Sequence, residues 1–127
     1  MPGTETSTTN GARTVLVVDD DPQILRLLET MLKPQRVNVF VTARATEALL
    51  ISEREAVHLL ISDVGMPEMD GRKLAERVLK LHPQASVLLI SGRPPEAPAV
   101  ADAARVRFLR KPFFPSQLLE QLRELLP

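Results

Sequence analysis

The chain has 127 residues, 44% of them apolar and 25% charged, with 16 Lys plus Arg balanced by 16 Asp plus Glu and with no Cys, Trp or Tyr. This is the mixture of one globular domain with an aliphatic core, not of a disordered chain. Zero formal net charge gives no drive toward nucleic acid or an anionic membrane, the lack of Cys excludes disulfides and thiolate chemistry, and no apolar run approaches the ~20 residues that span a bilayer, so a cytoplasmic location is expected.

Residues 1–12 have no apolar periodicity and are rich in Thr, Ser, Gly and Asn, which predicts a disordered N-terminal tail and leaves residues 13–127 as the single domain. Thr14 to Val18 is a short apolar run that stops at acid, as a buried parallel strand would. Asp21-Pro22 then opens a helix, with Asp as N-cap and Pro at the first helical position. Ile24, Leu27, Leu28, Met31 and Leu32 repeat on one face of it, and Pro34 ends it. Val37 to Val41 reads as the second strand and Ala45 to Arg54 as the second helix. Leu59 to Asp63 is a third strand that again ends on an acid. Pro67 to Gly71 forms a turn, Asp70 caps the next helix, and that helix carries Leu74, Val78 and Leu81 on one face before stopping ahead of Pro83. Ser86 to Ser91 is the fourth strand. Pro94, Pro95 and Pro98 oppose helix interior, so any helix in 93–105 is short. Val106 to Arg110 is a brief fifth strand, and Pro115 starts a last helix bearing Leu118, Leu119, Leu122, Leu125 and Leu126. Alternating strands and helices predict an α/β fold: a doubly wound, five-stranded parallel sheet in the flavodoxin-like order 2-1-3-4-5, with helices on both faces.

In such sheets the site lies beyond the carboxyl ends of the strands. The polar residues at those ends are Asp19, Asp20, Asp63, Ser91 and Lys111, so four segments deliver three carboxylates, one hydroxyl and one ammonium to one edge. Like charges 4 Å apart at an effective dielectric near 20 repel by about 4 kcal/mol, so the acids need cations. Lys111 neutralises one. Mg2+ suits the rest, because it takes hard oxygen ligands and binds through one or two carboxylates plus phosphate oxygens. A carboxylate so placed is a candidate nucleophile toward phosphorus, giving an acyl phosphate. His58 and His82 lack metal-like spacing and are expected at the surface, as are Arg105, Arg107 and Arg110.

The strings VLVVDDDP at 15–22, LLISDVGMPEMDG at 59–71, VLLISG at 87–92 and FLRKPF at 108–113 together resemble the response-regulator receiver family of two-component signalling, from about Arg13 to the end. The likeness is to single, chemotaxis-regulator-like receivers and, in style, to those of hybrid histidine kinases. It implies that Asp63 is the phosphoacceptor, that Asp19, Asp20, Asp63 and the Gly65 carbonyl hold Mg2+, and that Ser91 and Lys111 contact the phosphoryl group. It also implies that Ser91 and Phe108 form the switch and that the Lys111-Pro112 bond is cis. Gly65 brings no side chain to shield the phosphate, and Phe108 lacks the hydroxyl common at that position.

The resemblance implies a signalling switch that catalyses its own phosphotransfer and dephosphorylation, not a conventional enzyme. A sensor histidine kinase or histidine phosphotransfer protein would be the donor. Output would pass through a protein partner or a homodimer, with no direct nucleic-acid or membrane contact. Two alternatives stand beside it. Asp19-x-Asp21 formally matches the nucleophile pattern of haloacid-dehalogenase-like, Mg-dependent phosphatases, and a relic site would leave a phosphorylation-independent scaffold.

Overall fold

Short, largely apolar runs build the sheet, and the two central ones, β1 and β3, run into acids. The computed structural model describes residues 12–92 and 105–126, so the expected tail lies outside the described residues apart from Ala12, as does the Pro-rich stretch 93–105 apart from Arg105. The described elements, in order, are β1 (Thr14–Val18), α1 (Pro22–Leu32), a 3-10 turn (Lys33–Gln35), β2 (Asn38–Thr42), α2 (Ala45–Arg54), β3 (Leu59–Asp63), α3 (Gly71–Leu81), β4 (Ser86–Ser91), β5 (Val106–Arg110) and α4 (Pro115–Leu125). The strands form one parallel sheet in the order β2-β1-β3-β4-β5.

Every residue of β1 and β3 is buried, because both strands are central and covered on both faces. Alternation along the strands divides the core in two. Leu16, Val18, Leu60, Val87 and Leu89 pack with Ala48 and Ile51 of α2 and Leu74 and Val78 of α3. Val15, Val17, Leu59, Ile61, Leu88 and Ile90 pack on the other face with Leu28 and Leu32 of α1 and Leu118, Leu122 and Leu125 of α4.

The helix starts follow from their caps. Asp21 accepts a hydrogen bond from Gln23 N at 2.9 Å and starts α1; Asp70 accepts from Arg72 N at 2.7 Å and starts α3. Both match the sequence reading. At α4 the Gln117 Oε1 reaches back to Phe114 N at 2.7 Å.

Three expectations are corrected. β2 begins one residue later than the apolar run, at Asn38, because Asn38 N donates to Arg13 O and opens the ladder with β1. Leu81 is 47% exposed rather than core, since it ends α3 where the chain leaves the sheet. His82 is half-buried, and its Nε2 donates to the Ser52 carbonyl at 2.6 Å, joining the ends of α3 and α2. His58 is exposed as expected, although its Nδ1 accepts from Thr14 N at 3.0 Å. The Lys111-Pro112 bond is cis. No helix among the described residues is long and apolar enough to cross a membrane.

Candidate functional site

The sheet brings Asp19, Asp20, Asp63, Ser91 and Lys111 to its carboxyl edge. β1 and β3 are adjacent, so the acids that follow or end them become neighbours. One carboxylate oxygen from each of Asp19, Asp20 and Asp63 lies within 4.8 Å of the others. Lys111 enters from beyond β5, two strands away, and is anchored when its N donates to Ser91 O at 2.8 Å. Its Nζ stands 3.2 Å from Asp63 Oδ1 and 3.4 Å from Asp19 Oδ2.

The three acids differ in setting. Asp20 is exposed, whereas Asp19 is 1% and Asp63 8% exposed. Burial pushes the Asp19 carboxyl up, the Asp63 charge adds to this, and the Asp21 N–H and Lys111 pull the other way without cancelling it. Burial alone would lower the Lys111 ammonium, but Asp19 and Asp63 outweigh it and hold it above its usual range. Lys111 therefore stays charged, and one ammonium serves two carboxylates.

That leaves a deficit of positive charge with a definite location. Asp19 Oδ1 accepts from Asp21 N at 2.9 Å, but Asp19 Oδ2 is fully buried without a hydrogen-bond partner, its approach to Lys111 lacking hydrogen-bond geometry. Buried acceptors are nearly always satisfied. An orphaned carboxylate oxygen beside two further carboxylates fits a hard divalent cation such as Mg2+, with hard oxygens and no soft ligand in the set. Asp21 is absorbed by its cap on α1, so the Asp19-x-Asp21 phosphatase pattern is not favoured.

The remaining expected residues frame this pocket. Gly65 is exposed, and a Cβ there would meet nothing within 4 Å. Asp63 pairs in register with Ile90, so Ser91 stands one residue further out on the neighbouring strand. Phe108 is half-buried opposite Leu89 and packs against the α2–α3 core. Arg107 pairs with Glu124, and Arg105 donates to Gln84 Oε1 at 3.1 Å, so these two are engaged away from the site, while Arg110 is exposed at the end of β5. Beside Lys111 a cavity of about 380 Å³ opens between α1 and the β5–α4 loop, lined by Ile24, Leu27, Pro112 and Phe113; Phe114 next to it is 73% exposed.

Sequence reasoning missed two supports. Gly71 packs directly on the Asp63 backbone: a Cβ there would fall 2.2 Å from Asp63 O. A glycine immediately after a capping Asp, where a better helix former would ordinarily stand, was the available signal. Glu68 reaches across to Arg44 and to Thr46 N, a long-range contact with no local signature.

Known proteins share this fold. The family model described as the response regulator receiver domain matches residues 15–123. An uncharacterized 14.6 kDa protein of Leptolyngbya boryana is 39% identical over 114 residues, covering 87% of each chain. The transcriptional regulatory protein GlrR of Escherichia coli is 37% identical over 100 residues, which cover 77% of this chain but 22% of GlrR. Among solved structures, a CheY-like response regulator receiver domain protein from Methanospirillum hungatei superposes with a TM-score of 0.79 at 30% identity, over 90% of this chain and 93% of that one.

Proposed function

The chain belongs to the response regulator receiver domain family, and from that premise we propose that it is a phosphorylation-controlled switch whose phosphoacceptor is Asp63. The observation that carries the proposal is the geometry around one buried carboxylate: Asp63 held 3.2 Å from the Lys111 ammonium, beside the orphaned oxygen of Asp19.

In the proposed reaction a carboxylate oxygen of Asp63 attacks phosphorus. The O–P bond forms as the phosphorus–nitrogen bond of a phosphohistidine donor breaks, and the imidazole leaves as the neutral base after taking up a proton. Mg2+, held by Asp19, Asp20, Asp63 and the Gly65 carbonyl, would supply charge neutralisation for the transferred group. Lys111 neutralises a phosphoryl oxygen and orients it, and the Ser91 hydroxyl donates to another. Release is hydrolysis of the acyl phosphate by water, which reaches Asp63 past the bare Gly65.

The donor is a sensor histidine kinase or a histidine phosphotransfer protein. The apolar cavity beside Lys111, with Ile24, Leu27, Pro112 and Phe113 on its walls, supplies a surface on which such a donor can rest while its imidazole faces Asp63. The signal leaves through a population shift in Ser91 and Phe108 toward a protein partner or a second copy. Moving from 1:99 to 99:1 takes roughly 5.5 kcal/mol of differential stabilisation, so partner binding and the phosphoryl group act together.

The test is intact mass after incubation with acetyl phosphate and Mg2+, repeated without metal and with Asp63→Asn. A gain of one phosphoryl group that disappears in both controls is expected. Labelling that persists in Asp63→Asn would remove the assignment.

A further inference from the structure

Helix α2 has no cap of its own. Its N-cap position is Arg44, which makes no side-chain capping bond, so the first N–H groups of the helix need an acceptor from elsewhere. Glu68, in the β3–α3 loop, provides it. Its Oε1 accepts from Thr46 N at 3.4 Å, while its Oε2 accepts from Arg44 Nε at 3.2 Å and Nη2 at 3.1 Å.

This contact closes a ring around the acid pocket. Asp19 N donates to Thr42 O at 3.2 Å, and Thr42 Oγ1 accepts from Arg44 N at 3.1 Å. Arg44 joins Glu68, and three residues before Glu68 in the same loop stands Gly65. Asp63 then returns through Lys111 to Asp19. On either side of Glu68 the loop is held by Met66, which is buried in the α2–α3 core, and by Met69, which packs against it. Gly65, exposed and with nothing near its missing Cβ, lies between Val64, whose N donates to Ile90 O and whose O accepts from Gly71 N, and the buried Met66.

We infer that Glu68 is a positioning residue for the divalent-cation site: by capping α2 and pairing with Arg44 it helps to hold the β3–α3 loop, from which the Gly65 carbonyl would be offered to the ion. The inference rests on the proposed Mg2+ site. Groups beyond the immediate ligands commonly tune metal affinity by 10–100-fold; the Glu68–Arg44 pair is solvent-exposed, so a smaller effect, about fivefold, is expected.

The experiment is calorimetric titration of the full chain with Mg2+ alone, for wild type, Glu68→Ala, Glu68→Gln and Asp20→Asn, with each variant's urea midpoint measured in EDTA. Glu68→Gln removes the charge and keeps one acceptor oxygen, which can serve Arg44 or Thr46 N but not both. Glu68→Ala is expected to bind Mg2+ about fivefold more weakly, with Glu68→Gln, which keeps one of the two acceptors, between it and wild type, and Glu68→Ala to unfold at the lower urea concentration of the two variants because it loses the α2 cap. Wild-type affinity in Glu68→Ala would overturn the inference. So would a loss in Glu68→Gln as large as that in Glu68→Ala, because the contact that Gln retains would then brace nothing. If wild type takes up no Mg2+, or Asp20→Asn takes it up unchanged, the metal site itself is wrong, and the role of Glu68 falls with it.

Discussion

Gly71 and Asp63 touch backbone to backbone: the space where a side chain on Gly71 would begin is filled by the Asp63 carbonyl, 2.2 Å from an ideal Cβ, with Ser62 Oγ at 3.0 Å. The first turn of α3 therefore sits directly behind the candidate phosphoacceptor. Gly71 N donates to Val64 O at 2.9 Å and ties the helix to the residue after Asp63.

At an ordinary helical position Gly→Ala gains roughly 0.5–1 kcal/mol. At Gly71 the clash is with backbone, which yields poorly, and overpacking costs about 1–3 kcal/mol. Gly71→Ala is expected to lower stability by a net ~1–2 kcal/mol in urea unfolding and to slow phosphorylation of Asp63. A more stable variant would show that α3 moves aside freely.

Asp19 carries a penalty when no cation is bound. Burial, with Asp63 behind it, holds its folded-state carboxyl above the ordinary value. A group raised in this way favours the fold below its unfolded value, and that advantage is lost as pH rises through the folded value. At neutral pH the charged form is therefore a burden. Asp19→Asn, which keeps an oxygen for the Asp21 N–H, is expected to raise the thermal midpoint in EDTA. In Mg2+ the order should reverse, because a ligand at 100 times its Kd stabilises wild type by about 2.7 kcal/mol. Midpoints that keep the same order in both buffers would argue against a metal at this carboxylate.

Asp70 behaves oppositely. The Arg72 side chain beside it, helped by the Arg72 N–H, holds its carboxyl below the usual range. Its contribution is complete above the ordinary Asp value and disappears as pH falls through the lowered one. Asp70→Asn retains a capping oxygen and should flatten this acid limb, whereas Asp70→Ala should cost about 1 kcal/mol at neutral pH. Unfolding followed from pH 5 to 2 checks both; an unchanged acid limb in Asp70→Asn would assign the loss elsewhere.

Gly65 faces open space, so a side chain there is expected to change stability by no more than about 0.5 kcal/mol. Gly65→Leu should nonetheless lengthen the life of the acyl phosphate several-fold by standing between water and Asp63. Decay of the phosphorylated mass with time measures it, and equal lifetimes would show that water arrives by another route.

The central strands β1 and β3 were legible because each is a short apolar run bounded by polar residues, and burial on both faces leaves no alternation to misread; the edge strands β2 and β5 are only partly buried, and two arginines interrupt β5. The site was legible because the fold class places strand ends together, so Asp19, Asp63 and Lys111 could be grouped without coordinates. Val37 was counted into β2 because an apolar run does not mark where hydrogen bonding starts. Leu81 was counted into the core because helical periodicity says nothing of where a helix outruns the sheet. Gly71 and Glu68 stayed hidden for a different reason: their partners lie across the fold, and their residue types suit an ordinary turn equally well.

The route by which Lys111 reaches the acids has a consequence for biogenesis. Asp19, Asp20 and Asp63 all leave the ribosome before Lys111, which directly follows β5, the last described strand in the chain and an edge strand of the sheet. Until β5 docks on β4, the pocket holds three carboxylates and no ammonium, so the closing strand acts as an electrostatic clasp on a nascent chain that repels itself. A chain stopped after Gly92 is accordingly expected to gain ordered structure from added salt or Mg2+, as circular dichroism would register; indifference to both would mean that the core alone sets the order of assembly.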